Sequence, residues 1–143
     1  MAVEKQRVSW DEIERMVLAL AEQVRGEYDL MLAVTRGGLV PAGLLAYKLE
    51  IRNILVAAVE FYNDDRKLGD SPTFLQFPAD PLLRGQRVLV VDDLIATGGT
   101  ASAAVKLARM AGGEVAGVSC LIELTALAGA KALDVPCRAV LRY

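Results

Sequence analysis

Asp92 and Asp93 stand side by side at the end of the apolar run Val88-Leu89-Val90-Val91, and Thr97-Gly98-Gly99-Thr100 follows after Leu94-Ile95-Ala96. Adjacent carboxylates at a strand end repel phosphate, but they accept hydrogen bonds from sugar hydroxyls and offer hard oxygen ligands to Mg2+. A turn of small residues that opens into a helix presents backbone N–H groups at the positive end of the helix dipole, which suits a phosphate. Sugar, metal and phosphate are therefore all catered for within one stretch. Thr35-Arg36-Gly37-Gly38 repeats the arrangement after another apolar run, with a guanidinium added. Two anion turns at one edge of a parallel sheet suit a substrate carrying two separate phosphate groups. The chain contains no histidine, which removes Ser-His-Asp and Cys-His machinery and most zinc sites. Chemistry here rests on carboxylates, Arg, Lys, Tyr, backbone amides and a hard metal.

The elements that must hold these groups follow from periodicity and punctuation. Ser9 with Glu12 three residues later reads as a capping box, and Ile13, Met16, Val17, Leu20, Ala21 and Val24 give a helical apolar stripe ending near Gly26. Leu30 to Val34 reads as a buried strand, followed by the Arg36 turn and a helix with Pro41 in its first turn that runs to Glu50. Asn53 to Tyr62 is a third apolar segment and empties into the polar stretch Asn63 to Pro72, with Thr73 to Phe77 as a returning strand. After Val88 to Val91, Thr100 is placed to cap a helix over Ala101 to Met110. Val115 to Leu124 predicts a strand, Thr125 to Leu133 a short helix, and Arg138 to Leu141 a last strand. Strand and helix in alternation imply an α/β fold, a single doubly wound and mostly parallel sheet covered by helices on both faces.

Composition narrows the class. The 143 residues form one domain, large enough for a substantial core, and 54% are hydrophobic. No apolar run is long enough to span a membrane, and MAVEKQRVSW lacks the apolar core of a signal peptide, so a cytoplasmic location is expected. The net charge is −2 with scattered basic residues, and nothing points to nucleic acid or an anionic membrane as a partner. Cys120 and Cys137 lie in apolar surroundings without CxxC spacing and read as buried free thiols.

The string VLVVDDLIATGGT, Val88 to Thr100, resembles the phosphoribosyl pyrophosphate (PRPP) signature of the type I phosphoribosyltransferases. The resemblance implies that Asp92 and Asp93 face the ribose and share a Mg2+ ion partly through its hydroxyls, while Ala96, Thr97, Gly98, Gly99 and Thr100 cradle the 5′-phosphate. AVTRGGLVPAGLLAYKL looks like the pyrophosphate loop and following helix of bacterial xanthine-guanine and archaeal purine members. Thr35, Arg36, Gly37 and Gly38 would then hold pyrophosphate, in a loop whose peptide is often cis in that family. The polar stretch matches the mobile loop that closes over PRPP, with Tyr62, Arg66 and Lys67 as its candidate residues.

A purine base and PRPP are the implied substrates, giving a nucleoside 5′-monophosphate and pyrophosphate. In 6-oxopurine enzymes the residue before T-G is typically an Asp acting on purine N7; here it is Ala96, which cannot transfer a proton. Adenine phosphoribosyltransferases carry L-x-A-T-G-G-T, and CLIELTALAGAKALDVPCRAVLRY also looks like their closing segment, so adenine is the favoured base. The chain departs from those enzymes in lacking S-Y-x-L-E-Y-G in the loop, and its base-covering hood is minimal. The alternatives are a hypoxanthine, guanine or xanthine enzyme, or a PRPP-binding regulator on the same fold. A phosphoacceptor receiver domain fits poorly, since its acid pair follows the first strand. Family members are usually dimers, which implies a homodimer, with the apolar helix around Leu39 to Leu49 as an available face.

Overall fold

A computed structural model describes residues 7–62 and 68–143. Helix α1, Trp10–Gln23, begins with the expected capping box: Ser9 Oγ accepts from the Glu12 amide at 3.2 Å, and Glu12 Oε2 accepts from the Ser9 amide at 3.1 Å. Strand β1 is Leu30–Val34 and is buried throughout. It is followed by helix α2, Leu39–Leu49, and strand β2, Ile54–Tyr62. Strand β3 is Leu68–Gln76, longer than the expected Thr73 to Phe77. It runs antiparallel to β2, with a register shift between Glu60 and Tyr62 that absorbs its extra residues. The turn-preferring residues of its first half lie in that irregularity, between the pairs made by Leu68 and Thr73, where Pro72 is tolerated. A single helical turn, α3 at Asp80–Leu83, leads into strand β4, Arg87–Val91.

Beyond the acids comes a two-residue strand that the sequence does not announce, β5 at Leu94–Ile95, then helix α4, Gly99–Met110, and strand β6, Glu114–Glu123. The short helix expected over Thr125 to Leu133 is instead two 3-10 turns, Thr125–Leu127 and Gly129–Ala132, separated by Ala128 at φ 54°. Strand β7, Cys137–Arg142, completes the fold. Among the described residues seven strands form one sheet, in the order β3-β2-β1-β4-β6. Both β4 and β5 lie along one edge of β6, with β7 on the other. Every pairing is parallel except β2 with β3.

The two-residue period of the central strands builds two cores. Leu30, Leu32 and Val34 of β1, with Val88 and Val90 of β4, pack under Ala101, Ala104, Val105 and Ala108 of α4. Met31 and Ala33, with Leu89 and Val91, face Met16, Val17 and Leu20 of α1 and Ala42, Leu45 and Ala46 of α2. Alternate side chains of one strand thus enter opposite layers. Each fully buried Leu contributes roughly 2 kcal/mol of apolar transfer. The outward side of α2 leaves Leu39, Val40, Leu44 and Tyr47 exposed, the face available to the expected homodimer. Cys120 and Cys137 are free; Cys120 is buried as expected, whereas Cys137 is only half-buried.

Helices α1 and α2 cover one face of the β1–β4 pair and α4 covers the other. From β1 the chain leaves to the α1–α2 face and returns to β2; from the adjacent β4 it leaves to the α4 face and returns to β6. Two crossovers that diverge in this way open a crevice at the carboxyl ends of β1 and β4. Because α1 depends on a reciprocal cap at its start, Ser9→Ala should cost about 1 kcal/mol and lower the thermal midpoint by about 2–4 °C. Calorimetry of the variant beside the Glu12→Ala protein checks it, since both remove the same box.

Candidate functional site

The crevice at that switch point holds a cavity of about 410 Å3. Asp92 and Asp93 form its floor, and Ala96, Thr97, Gly98, Gly99 and Thr100 form one wall. Thr35 and Gly37 reach it from the β1 turn. The backbone of the acid pair is fastened to β6 on both sides: the Asp92 amide donates to Ser119 O at 3.0 Å, and Asp93 O accepts from the amides of Leu121 and Ile122 at 3.1 and 3.0 Å. This stitching ends β4 and starts β5, so the direction of each carboxylate is set by the sheet rather than by a free loop.

The two acids are held differently. Asp92 is only 9% exposed, and its Oδ1 accepts from the Asp93 amide at 2.8 Å. Burial first, and the neighbouring Asp93 side chain after it, together push its carboxyl up to about 8. Asp93 is exposed and lies over Gly37, where a Cβ would come within 2.2 Å of its carboxylate. Gly38 is pressed against Val34 O and Val91 O, at 2.5 and 2.6 Å from where its Cβ would be. The β1 turn can therefore approach the acids only because both positions lack a side chain. Its Thr35–Arg36 peptide is cis.

Thr100 does not cap α4. The helix begins earlier, with Gly98 at the N-cap in a left-handed conformation, φ 82°, and no side-chain capping bond. The first intrahelical bond is from the Ser102 amide to Gly98 O at 2.8 Å, so the amides of Gly99, Thr100 and Ala101, which line the cavity, have no acceptor within the helix. A side-chain cap would compete with an anion for these donors; its absence leaves them to a ligand.

Arg36 and Gly38 do not line the cavity. Arg36 is exposed on the rim, with no salt-bridge partner among the described residues. Arg66 and Lys67 lie outside the described residues, and of Tyr62 only its place at the end of β2 is described. Val34, Val59, Leu94, Ile95 and Ala101 complete the lining without having been singled out from sequence; all but Leu94 sit where an apolar strand or helix residue reads simply as core. Gly129 was missed as well. A Cβ there would fall 2.2 Å from Ala96 O and 2.7 Å from the Gly98 nitrogen, and one on Gly98 would fall 2.3 Å from Gly129 O. The first residue of the second 3-10 turn thus backs the Ala96 to Gly98 turn directly. The signal was present in the segment Ile122 to Gly129, which resembles adenine-enzyme sequences, but nothing in it says what the glycine touches.

The geometry joins an uncapped helix start, a buried acid, an exposed acid and a second glycine turn around one cavity. Comparison with known proteins agrees with it. The phosphoribosyl transferase domain model matches residues 2–141. The adenine phosphoribosyltransferase of Acidiphilium cryptum is 42% identical over 132 residues, covering 87% of this chain and 76% of the relative. The crystal structure of the adenine phosphoribosyltransferase from Rhodothermus marinus superposes with a TM-score of 0.78 at 30% identity, over 94% of this chain and 81% of that one. A hypothetical protein from Neisseria gonorrhoeae with bound ppGpp superposes with a TM-score of 0.80 at 30% identity, over 95% and 81%. In sequence, in fold and in the arrangement of its two glycine turns around an acid pair, the chain belongs to the type I phosphoribosyltransferase family.

Proposed function

We propose that this enzyme transfers the 5-phosphoribosyl group of PRPP to a ring nitrogen of adenine, releasing pyrophosphate. The observation that carries the reading is the contact of Gly37 with the Asp93 carboxylate, which sets two anion turns on either side of one acid pair. In the reaction the bond from ribose C1′ to the pyrophosphate oxygen breaks, the bond from C1′ to the base nitrogen forms, and the proton of that nitrogen is lost to solvent. The sugar becomes oxocarbenium-like and the leaving group gathers negative charge. Positioning and charge neutralisation then supply most of the catalysis.

Each group has a role in that scheme. The free amides of Gly99, Thr100 and Ala101, with the Thr97 to Thr100 turn, anchor the 5′-phosphate. Asp92 and Asp93 hold the ribose hydroxyls and place negative charge near C1′. Thr35, Gly37 and Gly38 shape the pyrophosphate turn, and Arg36 reaches from the rim to the leaving group. Among the described residues no three His, Cys, Asp or Glu side chains gather as a metal cage. The two aspartates fit a Mg2+ ion whose shell is completed by substrate oxygens and water. When bound, that ion supplies neutralisation of the departing pyrophosphate.

Adenine is favoured because Ala96, on the cavity wall, cannot exchange a proton with the base, and because the Acidiphilium cryptum and Rhodothermus marinus relatives are adenine enzymes. A guanine-type reading has one observation behind it, the ppGpp bound to the Neisseria gonorrhoeae protein. Turnover with PRPP and Mg2+ against adenine, hypoxanthine, guanine and xanthine in parallel tests both. Adenine should be used selectively, and Asp93→Ala should abolish turnover with the fold intact. Selective use of a 6-oxopurine would replace the base assignment, and PRPP binding without turnover on any base would leave a regulator.

Asp92 gives a second prediction, independent of substrate. An acid whose native pKa is raised from 3.8 to about 8 keeps its proton in the folded protein after the unfolded chain has lost it. Its contribution to stability therefore falls as pH rises between those two values and is level above them. The gap in thermal midpoint between Asp92→Asn and wild type should widen across that window and then hold constant. A gap independent of pH would show that Asp92 is ionised in the free protein at neutral pH.

A further inference from the structure

We propose that Ser119 and Arg138 form a second oxyanion site, under the end of α1 and apart from the cavity, and that Asp92 feels its occupant through Ser119. The register of the sheet makes the pair. Ser119 of β6 has Val91 of β4 as its neighbour on one side and Arg138 of β7 on the other, with all three strands parallel. Paired residues of adjacent strands send their side chains to the same face. Val91 faces the α1–α2 layer, so Ser119 and Arg138 stand side by side on that face. Two residues earlier comes Gly117, opposite Leu89 and just after the register shift between the Val88 and Leu89 pairs. A glycine inside a strand and beside a bulge marks a place of close approach. Here it leaves a hollow of about 110 Å3, lined by Gln23, Arg25 and Tyr28 from the end of α1 and just beyond it, and by Gly117, Ser119 and Arg138 from the sheet. The hollow shares no lining residue with the cavity.

The polar groups of this lining are mostly donors. Ser119 is fully buried, and among the described residues its Oγ has no hydrogen-bond partner, a cost that a folded chain seldom carries without a reason. Arg138 is exposed, and among the described residues its guanidinium makes no hydrogen bond or ion pair. Arg25 adds a second guanidinium, one nitrogen of which is spent on Glu22. Tyr28 gives its hydroxyl hydrogen to Val24 O at 2.9 Å, which closes the end of α1. Among the described residues no carboxylate lines the hollow. Hydroxyl and guanidinium donors without a carboxylate select an oxyanion over a cation. At roughly 30 Å3 per water, the hollow has room for a carboxylate, phosphate or sulfate group. The link to the acid pair is a single hydrogen bond: Ser119 O accepts from the Asp92 amide at 3.0 Å. The residue that donates to the oxyanion therefore also holds the buried acid.

The test titrates the wild-type protein with sulfate and, in parallel, with acetate, following its backbone amide NMR signals. Gly117, Val118 and Ser119 do not line the cavity, so their signals report on this hollow. They should move along a saturating curve, the tighter probe telling a tetrahedral from a planar occupant, and part of the Asp92 shift should follow with the same midpoint. Arg138→Ala and Ser119→Ala should each weaken that midpoint about tenfold, while Gly99 and Thr100, which line the cavity, respond as in wild type. Neither substitution removes a side-chain hydrogen bond from the fold, and spectra without probe that match wild type away from the substituted residue check this. Shifts at Gly117 to Ser119 that rise linearly without saturating, or that saturate equally in Arg138→Ala, would overturn the site. An Asp92 signal that keeps its whole response in Arg138→Ala would overturn the link to the acid. A saturating response at Gly117 to Ser119 with none at Gly99 and Thr100 would support this site and count against the phosphate turn.

Discussion

The parallel pairing of β1 with β4, in the register that sets Ala33 opposite Val91, is the constraint on which the site depends. It puts the ends of two neighbouring strands at the same height, so that the Thr35 turn and the Asp92-Asp93 pair emerge together. The chain then diverges to opposite faces, α2 on one and α4 on the other, and the crevice between is what a doubly wound sheet leaves at its switch point. A one-residue slip in this pairing would exchange the two cores, since Leu32 and Met31 belong to different layers. Fold stability and site geometry are set by the same alternation of apolar side chains.

Close approach is the second theme. Gly38 against Val34 O and Val91 O, and Gly98 against Gly129 O, leave no room for a methyl group, so the site is assembled by bringing backbone to backbone, with Gly37 under the Asp93 carboxylate. That geometry suits ligands recognised through amides. It also explains the contrast between the acids. Asp92 is drawn into the sheet by its amide bond to Ser119 O and loses water, while Asp93 remains on the surface of the crevice. Burial favours the neutral form of Asp92 and so relieves the repulsion of two adjacent anions, which leaves the solvent-facing Asp93 as the carboxylate that first meets a cation or hydroxyl donors.

The local parts of this design were legible in the sequence. Leu30 to Val34 was read to the residue because a five-residue apolar run between Asp29 and Thr35 has few alternatives, and the Ser9–Glu12 box because both of its bonds are made within one turn. The PRPP-type string and the Arg36 turn gave the family, which the comparisons bear out. What escaped was created by contacts distant in sequence. β5 exists because β6 runs beside Leu94 and Ile95. The first half of β3 contains Gly69, Asp70 and Pro72, turn residues by preference, and they fall in the irregularity between the Leu68 and Thr73 pairs with β2. α4 starts at Gly98 rather than behind a Thr100 cap, because the turn must fit against Gly129. The neighbourhood of Ser119 was invisible for the same reason: only the packed fold brings Arg138 and the end of α1 to it.

The joint use of both turns by one ligand is tested most directly by calorimetric titration with PRPP, ribose 5-phosphate and pyrophosphate, each in the presence of Mg2+. PRPP should bind well beyond either fragment, because linking two subsites makes the second contact intramolecular, and the two fragments should bind to the same protein together. PRPP that binds no more tightly than ribose 5-phosphate, with pyrophosphate failing to bind, would leave the Thr35 to Gly38 turn without a ligand and contradict the assignment.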